Sequence, residues 1–157
     1  MKSILLKHPC RFFSIVLGTF LLGTSLLQAH CQIPCGIYND HARVTSMLED
    51  AATIEKAVLL LESLAGKTDV QSLNQSIRWV QNKEIHAQKI IETISNYFLA
   101  QRINTAQDDY ATRLRNHHAI IIAAMKAKQN ATSDATQVLR ESIQTLQAYY
   151  PAPEHTH

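Results

Sequence analysis

The chain has 157 residues, 46% hydrophobic and 18% charged, which is one domain's worth of chain with enough apolar residues to bury a core. Its net charge of +2 includes no basic stripe of the kind a nucleic-acid footprint needs. Between Gly36 and Pro151 there is one glycine, Gly66, and no proline, so the turn signals that sandwiches, barrels and α/β folds require are missing, and three cysteines are too few for a disulfide-rich scaffold.

Residues 1–29 read as a secretory leader that is removed. Lys2, Lys7 and Arg11 form a basic start with no acid, an apolar run from Phe12 to Leu22 follows, and the segment closes on Leu27-Gln28-Ala29. The run is shorter than the ~20 residues a spanning helix needs. No stop-transfer flank follows it, which argues against a retained anchor. Leu27 is bulkier than the usual small residue at that place, whereas Ala29 suits the cut. Cys10 goes with the leader. The remainder holds 12 basic and 13 acidic residues. An exported chain, periplasmic or extracellular, with no membrane association once the leader is gone, is expected.

Cleavage after Ala29 leaves a mature end reading His30-Cys31-Gln32-Ile33-Pro34-Cys35-Gly36-Ile37-Tyr38. A free α-amine, an imidazole and two thiols are then tethered to one short segment. Pro34 restricts φ and Gly36 permits positive φ, so the chain can curl into a hook with both sulfurs on one side. Without the cut, an amide stands where the amine is needed.

From Asn39 onward the apolar spacing is helical. Asn39 or Asp40 caps a helix that carries Val44, Met47, Leu48, Ala51, Ile54, Val58, Leu61 and Leu64, and Gly66 stops it, giving a span of about 40–65. A second series, Val70, Leu73, Ile77, Val80, Ala87, Ile91, Ile94 and Phe98, is interrupted only by Glu84 and extends to about Ile103. A third runs through Tyr110 or Ala111, Leu114, His118, Ile121 and Met125, opened by Asp108 and Asp109 where the helix dipole favours negative charge. The fourth has a Thr132/Ser133/Asp134 cap and continues through Ala135, Val138, Ser142 or Ile143, Leu146 and Tyr149 until Pro151 ends it. Connections of a few residues favour antiparallel neighbours. The expected architecture is all-α: an antiparallel up-down four-helix bundle over residues 39–150, preceded by an N-terminal metal-binding hook at 30–38 and followed by a flexible tail at 151–157.

The string His-Cys-x-x-Pro-Cys-Gly-x-Tyr at a leader boundary, ahead of an all-helical body, resembles nickel superoxide dismutase. Weaker local matches lie around Arg78–Glu84 and Asn96–Phe98. The resemblance implies one nickel ion per subunit, cycling between Ni(II) and Ni(III). Its ligands would be the amine and imidazole of His30, the amide nitrogen and sulfur of Cys31, and the sulfur of Cys35. It also implies a homohexamer, superoxide as substrate with O2 and H2O2 as products, and Tyr38 as the catalytic tyrosine beside the open coordination face. Thiolate and anionic amide donors suit this role, because they push electron density onto nickel and bring its oxidised state within reach. The chain departs from the family pattern at Gln32, where an acid is usual. It departs again at Thr45 and His86, which align near the glutamate and arginine that support the axial imidazole in the family; Glu49, Arg43 or Arg78 are alternatives for that role.

Other readings apply to the same residues. A Cys31–Cys35 disulfide is the ordinary fate of paired cysteines in an oxidising compartment, and it would make the chain a secreted, non-catalytic helical-bundle interaction protein. Zinc prefers four tetrahedral side-chain ligands, and only three are local. His117 and His118 are adjacent and cannot share a helix face, so one points inward and the other to solvent. His41 and His86 read as surface or interface polar residues, His155 and His157 belong to the tail, and Trp79, Tyr97 and Phe98 read as core or subunit contacts. Asn74 and Asn130 open glycosylation-type triplets, which matter only in a eukaryotic secretory pathway.

Overall fold

A computed structural model describes residues 32–153. The leader at 1–29, His30, Cys31 and the end of the tail, with His155 and His157, lie outside the described residues. Four α-helices follow the hook: α1 (Asp40–Leu64), α2 (Val70–Glu92), α3 (Tyr110–Gln129) and α4 (Ser133–Gln144). Helix α2 continues directly into a π-helical segment, Thr93–Arg102, and α4 into a short 3-10 turn, Thr145–Ala148. Each helix packs on its chain neighbours and α4 returns against α1, so the four close into an up-down bundle. No strand occurs among the described residues, and no helix among them is long and apolar enough to cross a membrane.

The helix boundaries follow from their caps. The Asn39 side chain accepts from the Ala42 amide at 3.1 Å, the Asp69 carboxylate from Ser72 at 3.0 Å, and the Thr132 hydroxyl from Ala135 at 3.4 Å, each satisfying an amide that the first helical turn leaves unpaired. Hydrogen bonds from the Ser72 side chain and then from its amide also hold the Asp69 carboxyl below its usual range. Gly66 ends α1 at φ 76°, a left-handed conformation that costs glycine nothing.

The core is continuous from Val44, Met47, Ala51 and Ile54 on α1 through Ala87, Ile90, Ile94 and Phe98 to Ile120, Ala124, Leu139, Ile143 and Leu146. Two faces differ from the expected ones. On the first half of α2 the apolar residues Val70, Leu73, Ile77 and Val80 are exposed, and Ser72 and Lys83 are buried in their place. On α3 the buried face is His117, Ile120, Ala124 and Ala127, one position round from the expected Leu114, His118, Ile121 and Met125. Small alanines let α3 approach its neighbours closely, so the larger side chains beside them turn outward.

Lys83 is buried because it has a specific task. Its ammonium donates to the carbonyl of Ala127 at 2.8 Å and to that of Lys128, two acceptors at the end of α3 that have no partner within the helix, and its Nζ lies 3.0 Å from Glu84. His117 is buried beside the end of the chain. Its Nδ1 donates to the Arg113 carbonyl at 2.7 Å, and its Nε2 accepts from the Tyr150 hydroxyl at 3.2 Å. Burial, together with the nearby Arg113 charge, holds its pKa below the ordinary histidine value, while burial pushes Tyr150 up to about 12.

Candidate metal centre

The described part of the hook is a short irregular segment with no helix or strand. Its Ile33-Pro34 bond is cis; residues 32–36 form a bend, and Gly36 at φ 77° turns the chain back after Cys35. Open space surrounds the place where a β-carbon on Gly36 would stand, and Cys35 is exposed. Ile33 and Pro34 line one wall of a polar cleft of about 290 Å³ with Arg43, Asp50 and Tyr97 among its other walls. Asp50 is paired with His86, Nδ1 to Oδ1 at 2.5 Å, so His86 is a buttress on α2 as well as a polar residue near the surface. Thr45 spends its hydroxyl on the His41 carbonyl at 3.0 Å, in its own helix. Among the described residues no group of three or more His, Cys, Asp or Glu side chains is placed to hold a metal ion.

Tyr38 joins the hook to the bundle. Its ring meets that of Tyr97 edge-on at 5.9 Å, and the Arg102 guanidinium lies over it at 4.2 Å. Arg102 also grips Asp40, the first residue of α1, through Nε at 2.9 and 3.0 Å and Nη2 at 2.6 Å. The Tyr97 hydroxyl donates to the same carboxylate at 2.6 Å, and Arg43 lies 5.3 Å from the centre of the Tyr97 ring. Burial, then the hydrogen bond to Asp40, pushes Tyr97 up to about 12, and the same carboxylate raises Arg102. Tyr97 therefore stays a neutral donor at any physiological pH.

Of the four residues singled out in the sequence, the structure describes two, Cys35 on the bend and Tyr38 three residues after it; His30 and Cys31 lie outside the described residues. Sequence reasoning missed Asp40 and Arg102, and it treated Tyr97 only as packing. Asp40 and Arg102 are 62 positions apart and share no local signal.

Comparison with curated proteins and with solved structures returned no match. A family model described as nickel-containing superoxide dismutase matches residues 25–153, a span that takes in the hook and all four helices. The chain therefore belongs to the nickel-containing superoxide dismutases, oxidoreductases that carry nickel and act on superoxide.

Proposed function

We propose that the mature protein begins at His30 and binds one nickel ion through the amine and Nδ1 of His30, the amide nitrogen and thiolate of Cys31, and the thiolate of Cys35. The observation that carries this reading is the intact His-Cys-x-x-Pro-Cys-Gly-x-Tyr string inside the family match, with Cys35 exposed on a tight reversal. The donor chemistry fits: thiolate and nitrogen donors suit a nickel ion that must be oxidised and reduced in turn. When bound, nickel supplies the one-electron Ni(II)/Ni(III) couple by which two superoxide ions and two protons become O2 and H2O2.

The chain's own residues prepare the surroundings. Gly36 allows the reversal that turns the Cys35 sulfur outward. Tyr38 orients small anions and water beside the open face of the centre. The Asp50–His86 pair and Arg43 shape the cleft that Ile33 and Pro34 enter. The removed segment 1–29 directs export to the periplasm or the extracellular space. The mature chains assemble as a homohexamer, a reading supported by the apolar stripe Val70, Leu73, Ile77 and Val80 that α2 turns to solvent.

N-terminal sequencing, elemental analysis and superoxide turnover on the purified mature protein test the proposal together. A start at His30, about one nickel per chain and turnover that disappears on chelation are expected. A start elsewhere, no nickel and a Cys31–Cys35 disulfide would overturn it.

A further inference from the structure

The π-helical segment carries a device that the metal chemistry alone does not require. π-helical bonding runs from residue i to i+5, which stacks residues five apart one turn above the other. Tyr97 and Arg102 are such a pair, and both reach the carboxylate of Asp40. At 3.6 residues per turn an α-helix would point them about 140° apart, and one of them would miss. The π register is thus what lets a single carboxylate at the start of α1 collect both donors.

Asp40 follows Tyr38 by two residues, and Arg102 holds both: its edge is bonded to the carboxylate, and its face lies 4.2 Å from the centre of the Tyr38 ring. A planar guanidinium suits this double role better than an ammonium, because it offers a flat face and a forked edge at once. The Tyr97 ring is a second contact, meeting the phenol edge-on at 5.9 Å. The ring of Tyr38 is thereby held by two contacts although the residue itself is partly exposed.

We propose that Arg102 is a positioning residue for dismutation, holding the Tyr38 phenol in place through its stacking on the ring and its forked bond to Asp40. This rests on the reading of Tyr38 as the tyrosine beside the metal's open face, and its test separates the two ideas.

The protein is labelled with 3-fluorotyrosine, which places a probe on each of the five tyrosines, and the Tyr38 signal is assigned by its loss in Tyr38→Phe. In Arg102→Gln the fluorine resonance of Tyr38 is expected to shift and narrow as the ring is freed, with nickel content and far-UV helicity retained. Superoxide turnover falls between about 10- and 100-fold, the scale of a misplaced catalytic group. In a Tyr38→Phe background, which keeps the ring and removes the hydroxyl, Arg102→Gln costs less than about twofold more, because both changes act on one group. Arg102→Lys keeps the ion pair to Asp40 and loses the flat face; it still displaces the resonance, and it carries the test if the glutamine variant does not fold. An unmoved Tyr38 resonance in both variants, or an equal loss of turnover with and without the hydroxyl, overturns the proposal. If Tyr38→Phe alone turns over like the parent while Arg102→Gln displaces the resonance, the catalytic reading of Tyr38 falls and the hold of Arg102 on its ring stands.

Discussion

Cys35 and His117 mark two extremes of how this chain uses a reactive side chain. Cys35 sits exposed on an irregular turn, so its replacement leaves the core untouched. Cys35→Ser should therefore abolish nickel binding and turnover while changing the unfolding free energy of the metal-free protein by no more than about 0.5 kcal/mol, as metal analysis and calorimetry would show. A collapsed fold in that variant would make the thiol structural. His117 is the opposite case, buried with both ring nitrogens satisfied by the neutral form. Its folded pKa is lowered, chiefly by burial, so on acidification the unfolded chain takes up this proton first. The contribution is fully present above the unfolded value of about 6.5 and is lost as the pH falls from there through the folded pKa. Melting temperature should accordingly decline on this interval, and His117→Gln, which has no proton to gain, should flatten that part of the profile. A slope unchanged by the substitution would assign the acid sensitivity to other groups.

Helix boundaries were legible where caps are local: Asn39, Gly66 and Thr132 each act through contacts within a few residues, whereas α4 gives way to a 3-10 turn at Thr145, six residues before the expected stop at Pro151. Helix faces were less so. Periodicity ranks residues by polarity, and α2 inverts that ranking by burying Lys83 to close the end of α3 while leaving Val70, Leu73 and Ile77 outside. The π register of Thr93–Arg102 cannot be read by a pattern search with a period of 3.6. Two substitutions test the elements directly. Lys83→Met fills the same volume but strands the carbonyls of Ala127 and Lys128, and it should cost about 1–3 kcal/mol in denaturant unfolding. Gly66→Ala meets no steric obstacle, since nothing lies within 4 Å of the added carbon, yet it imposes a left-handed conformation worth about 1–2 kcal/mol. Little change in either variant would mean that the termini of α3 or α1 rearrange easily.

For the molecule as a whole, the all-α bundle was apparent from helical apolar spacing and sparse punctuation, since a chain with one glycine and no proline between Gly36 and Pro151 has few other options. The metal-binding string was legible for the same reason: it is contiguous. The clamp on Tyr38 was not, because it joins two stretches some 60 positions apart, and only the closed bundle brings Asp40 alongside Tyr97 and Arg102. Assembly belongs to this scale too. Ile77→Glu puts a charge on the exposed stripe of α2 at a site that costs the monomer almost nothing, and it should lower the mass seen by sedimentation if that stripe joins subunits. An unaltered mass would place the contact on another face.

Tyr150 is fastened twice, its hydroxyl to His117 on α3 and its carbonyl to His41 at the start of α1. Tyr150 thus ties the first described helix to the third through one residue. A chain shortened to stop at Tyr149 would surrender both tethers at once, and the two ends of the bundle they join would part company first on heating.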